Sequence, residues 1–152
     1  MKKFFRTAFL FGTLAFLFPS CASVTFIQKE EDVLALVGLI NRGDIVTLSA
    51  LSSVPFLFDR EILTMNQDPG ILWSNLAAAG FSLPGAVVVK IDRVDEKTST
   101  LFDDSMEVRV FFSKYVPDTA RFAVLEAEGT SAILILDGKR EGYPKILGMK
   151  VN

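Results

Sequence analysis

The second half of this chain is dominated by side chains that change character at every other residue. Val87, Val89 and Ile91 alternate with Val88, Lys90 and Asp92, and MEVRVFF places Met106, Val108, Val110 and Phe112 on one side. RFAVLEAE, residues 121–128, alternates again, and Gly129 with Thr130 forms a short hairpin into AILILD. After a further turn, GKREGYP, the segment KILGMKV ends the chain as a shorter strand. Successive side chains of a strand point to opposite faces, so a period of two predicts strands. Four or five such strands in succession predict an antiparallel meander with one face to be covered.

The first half supplies the cover. VLALVGLINRG puts Val33, Leu36, Val37 and Ile40 on one helical face, with acidic Glu30, Glu31 and Asp32 before it and Arg42 near its end. Gly43 marks the exit, and Asp44 is placed to cap a second helix through IVTLSAL, with Ile45, Leu48 and Leu51 inward. VPFLFDREI, residues 54–62, changes to a strand, and Pro55 places its start at a sheet edge. Asp68-Pro69 opens a third helix that runs through ILWSNLAAA to Gly80. The expected class is α+β. With 152 residues the chain is long enough for one domain with its own core, set at 30–152.

Residues 1–20 read as a signal peptide: MKKFFR is positive, TAFLFGTLAFLF is uncharged and apolar, and small residues follow Pro19. The uncharged interval 7–27 is also about long enough to span a bilayer, but its far end is weakened by Pro19, Ser20, Ser23 and Thr25. The signal is the favoured reading. The whole chain has 16 Lys and Arg against 18 Asp and Glu; loss of Lys2, Lys3 and Arg6 leaves 13 against 18, a net charge near −5. That balance argues against nucleic acid as a partner. FPSC, residues 18–21, resembles the lipobox of bacterial lipoproteins, matching it at Ser20 and Cys21 and departing from its usual residues at Phe18 and Pro19. The resemblance implies lipidation of Cys21, a tether over residues 21–29, membrane lipid as a partner and a domain held at the bacterial cell envelope outside the cytoplasm. A simple secretory signal is the alternative.

LINRGDIVTLSAL, followed by a Phe-rich strand ending FDREI and then helix and meander, resembles the opening of the NTF2-like fold. The resemblance spans most of residues 30–151 and implies a curved sheet wrapped on helices as a cone. Enzymes of that group, isomerases and epoxide hydrolases, use a pocket aspartate with Tyr, Asp or Arg partners. Here the candidates it offers are Asp59, Asp92 and Arg109, with Trp73, Tyr115 and Tyr143 as pocket candidates. Period-two alternation leaves the alternative that Asp59 and Arg109 lie on the outer face of a half-buried sheet.

Composition removes most other chemistry. There is no His and one Cys, so histidine proton transfer, paired thiols and most zinc sites are excluded. No glycine-rich phosphate loop occurs, and neither Glu30-Glu31-Asp32 nor Asp103-Asp104 has the spaced oxygens of a calcium loop, so no cofactor or metal is expected. Lys139, Arg140 and Lys145 form a local basic cluster beside Tyr143, read equally as an anion contact or a solvated turn. Phe111 and Phe112 are adjacent and, in a strand, would face opposite sides, which suggests homodimerisation through the sheet. The expected function is a non-catalytic binding or scaffolding module. The alternative is a small-molecule isomerase or hydrolase whose buried Asp59 or Asp92 has a raised pKa.

Overall fold

Local signals set the first two helices in the computed structural model, which describes residues 29–138 and 143–152. Helix α1 (Glu30–Arg42) buries Val33, Leu36, Val37, Leu39 and Ile40, and carries its acids in the first turn and Arg42 in the last. Gly43 ends it at φ 62°, a left-handed conformation that needs no Cβ, and donates to Ile40 O at 3.0 Å. Asp44 then caps α2 (Ile45–Leu51): its carboxylate accepts the Thr47 amide at 3.1 Å and the Thr47 hydroxyl at 2.9 Å.

Six strands follow, interleaved with three more helices: β1 (Ser52–Phe58), β2 (Glu61–Leu63), α3 (Asp68–Ala78), β3 (Val87–Arg93), α4 (Thr98–Phe102), α5 (Met106–Tyr115), β4 (Arg121–Ala127), β5 (Thr130–Leu136) and β6 (Ile146–Val151). They form one sheet in the order β2-β1-β6-β5-β4-β3. Every neighbouring pair is antiparallel except β1 and β6, which run parallel. The last strand therefore closes the gap between the opening hairpin and the meander. Gly148 permits that closeness: a Cβ there would lie 2.8 Å from Leu57 O. β1 is an interior strand over residues 56–58, but at Pro55 it has no β2 partner, since that pairing begins at Phe56, and its register with β6 is interrupted between Ser52 and Leu57. A residue without an N–H is tolerated at such a place.

The NTF2-like cone is overturned: the sheet is open and mixed, neither closed nor strongly curled. Helices cover both of its faces. Ala123, Leu125, Ala132, Leu134, Leu136, Ile146 and Met149 join the core under α1, α2 and α3, and the intervening Phe122, Ile133, Ile135 and Leu147 join a second core with α4 and α5. A cone needs one polar outer face, whereas the run AILIL is apolar on both, as doubly covered strands are.

The misreading of one helix explains the expected cone. MEVRVFF is helix α5, not a strand: the Ser105 hydroxyl accepts the Val108 amide at its start, and Val108, Phe111 and Phe112 turn inward at helical spacing. Phe111 and Phe112 therefore share one core, with ring centroids 6.0 Å apart, and do not point to opposite sides. The expected homodimer drew on that strand reading, and its motive is gone. The short helix α4 lies just before it in the chain. No helix among the described residues is long and apolar enough to cross a membrane. The signal segment, Cys21, the tether up to residue 28, Lys139 and Arg140 lie outside the described residues.

Candidate functional site

The structure disperses the sequence candidates. Asp59 occupies the β1–β2 turn at φ 52°, donates its N–H to Met149 O at 2.8 Å and accepts the Val151 amide at 3.0 Å. It thereby continues the ladder to β6. Asp92 lies on the outer strand β3, accepts the Arg93 amide at 2.8 Å and pairs with Lys90 at 3.2 Å. The Arg93 amide, and then Lys90, hold the Asp92 carboxyl below its ordinary value, opposite to the rise a pocket base needs. Arg109 is on α5 and pairs with Asp104, not with either candidate aspartate. Trp73 is buried under α1 and α2, its indole N–H donating to Ser52 Oγ at 2.9 Å and its ring edge-on to Phe56 at 6.5 Å. Tyr115 ends α5 on the opposite side of the sheet, against Phe111 at 5.8 Å, and Tyr143 is exposed.

What the fold does assemble is a partly enclosed cleft of about 610 Å³ where β3 leaves the sheet, walled by α4 and α5. Its local chemistry is built around Asp95. Asp95 Oδ1 accepts the Thr98 amide at 2.9 Å and the Thr98 hydroxyl at 2.8 Å, while the Asp95 amide donates to Thr98 Oγ1 at 2.9 Å. Thr98 is buried, so this reciprocal lock fixes the start of α4. The far end of α4 is held by Lys150 Nζ, which donates to Leu101 O at 2.8 Å and Phe102 O at 3.1 Å.

Val94, Phe112, Val116 and Pro117 give the cleft an apolar floor. Ser99, Thr100 and Ser113 line its wall, and Asp95, Glu96, Asp104, Asp118 and Arg109 its rim. The hydrogen bond from the Thr98 hydroxyl holds the Asp95 carboxyl below the ordinary aspartate value, against the opposing effect of desolvation. A second groove of about 470 Å³ lies between β2 and α3, lined mainly by Phe58, Leu63, Ile71, Leu72 and Leu76. Among the described residues no group of three or more metal-binding side chains is assembled.

Of the cleft residues, sequence reasoning put only Arg109 forward as a site candidate. A signal for part of the site was present: DEKT at 95–98 has the spacing of a helix cap, as does SMEV at 105–108. Set against known proteins, the chain matches no family model and no curated protein.

Proposed function

We propose that this chain is an exported, lipid-anchored binding module, with Cys21 as the anchor and the α4–α5 cleft as its working site. The cleft carries the reading. Its volume of about 610 Å³ is that of small-molecule sites, ~300–1,000 Å³, and it pairs an apolar floor with a few convergent polar groups. Its Asp95 is committed to the start of α4 and kept ionised, so it favours holding a ligand over abstracting a proton. The anchor is supported by the order of residues 1–23, a positive start, an apolar run, and Ser20-Cys21 followed by a short tether.

Two measurements test the two halves. With the whole chain expressed in a bacterial host, the wild type is expected in the membrane fraction and labelled by fatty acid, and Cys21→Ala is expected to lose both. A soluble, unlabelled wild type would end the anchor reading. A fragment screen by amide chemical shifts of the full chain in detergent is expected to move resonances of residues 94–100 and 112–118. Shifts confined to other regions would remove the cleft as the working site.

A further inference from the structure

We infer that the ligand of this cleft is a small organic cation, a diamine or polyamine with a short apolar body. The inference rests on the binding reading above and adds the chemical class. It follows from what the polar groups of the cleft have left to offer. Ser99 is about nine-tenths buried or more, at 5% exposure, and its hydroxyl donates to Glu96 O at 3.0 Å. Thr100 donates to Lys97 O at 2.8 Å, and Ser113 to Val110 O at 3.1 Å. Each hydroxyl has one proton and two lone pairs, so all three have spent their donor and keep acceptor capacity.

The charges point the same way. Arg109 is engaged by Asp104, and these two opposite charges offset each other at the rim. Asp95, Glu96 and Asp118 remain among the lining residues; Lys97 beside them, whose charge reaches Asp95, leaves an excess of two carboxylates, which when ionised only accept. An anion entering here would meet net repulsion, and among the lining side chains a neutral acceptor would find its one charged donor, the guanidinium, already engaged. An ammonium brings three donors and a positive charge, and the methylenes of an alkyl amine suit the floor formed by Val94, Phe112 and Pro117. Ser99 matters most in this argument. It is the buried polar residue of the lining, and its hydroxyl spends its proton on Glu96 O and keeps its acceptor capacity.

Calorimetric titration of the full chain in detergent with spermidine, cadaverine, glutarate and 1,5-pentanediol tests the class. The amines are expected to bind, to shift amides of residues 95–100, and to weaken with added salt. Glu96→Gln with Asp118→Asn, both at exposed positions, is expected to weaken spermidine binding about tenfold with an unchanged thermal melt. Glu96→Gln alone is expected to show a smaller loss in the same direction. Equal or tighter binding of glutarate or pentanediol at the cleft overturns the cation class and leaves the binding reading standing. Failure of every probe, of every class, to perturb the cleft overturns both. Amine binding that is indifferent to the two substitutions also overturns the inference.

Discussion

Leu134 and Ile135 are neighbours on β5, yet one lies under α1, α2 and α3 and the other against α4 and α5. The two faces of the sheet are thus drawn from alternate residues of the same strands and are finished in different ways. Under the first three helices the packing around Trp73 and Leu48 leaves a gap of only about 10 Å³, and the open groove of about 470 Å³ on this face lies at its margin, between β2 and α3. On the other face the helices are α4, of 5 residues, and α5, of 10, and beside them the cleft of about 610 Å³ stays open. A doubly covered sheet can close the centre of one side around a large aromatic and leave a cleft beside the short helices of the other. The single-faced cone expected from the sequence would have had to do both in one interior.

The comparison breaks most directly at its two large aromatic anchors. Trp73→Ala removes a fully enclosed indole and its bond to Ser52, and is expected to cost about 3–5 kcal/mol in denaturant unfolding. Phe112→Ala, at the floor of the cleft, is expected to cost clearly less, about 2–3 kcal/mol, because solvent already reaches the space it vacates. Equal losses would mean that the two faces carry the same load.

A smaller effect should appear at Lys150, which reaches from β6 to the last carbonyls of α4. Lys150→Met keeps most of the stem and is expected to cost about 1–2 kcal/mol. Hydrogen exchange should quicken in residues 95–102 and stay unchanged in α1. A uniform rise across both helices would show that α4 does not open on its own.

The smallest effect is a pH dependence. The Asp95 carboxyl is held below its ordinary value in the fold, so its contribution is present above about pH 4 and is lost as the pH falls through the lowered value. Asp95→Asn is therefore expected to be less stable than the wild type at pH 7, with the gap closing below about pH 4. Parallel stability curves for the two proteins from pH 7 to pH 3 would remove Asp95 as the ionised lock of α4.

How far the sequence could be read depended on the range of the signal. The Gly43-Asp44 corner was legible because a left-handed glycine and a capping aspartate act within a few residues. The β4–β5 hairpin was legible for the same reason, with Gly129 at φ 76° between paired Ala127 and Thr130. MEVRVFF was ambiguous. Its apolar residues at 106, 108, 110 and 112 fit a strand, while those at 108, 111, 112 and 115 fit a helix that Ser105 can cap. The choice between them is made by packing, since Met106 and Val110 are left exposed and Phe111 is buried.

The sequence by itself determined the α+β class, the opening helix pair and the strands β4, β5 and β6 at the end, because periodicity and caps are written in neighbouring residues. Only the tertiary structure decided that β6 pairs in parallel with β1, that helices cover both faces, and that Asp95, Ser99 and Phe112 share a cleft. Those outcomes join residues far apart in the chain. They depend on which apolar face finds which partner, a choice that a local pattern leaves degenerate.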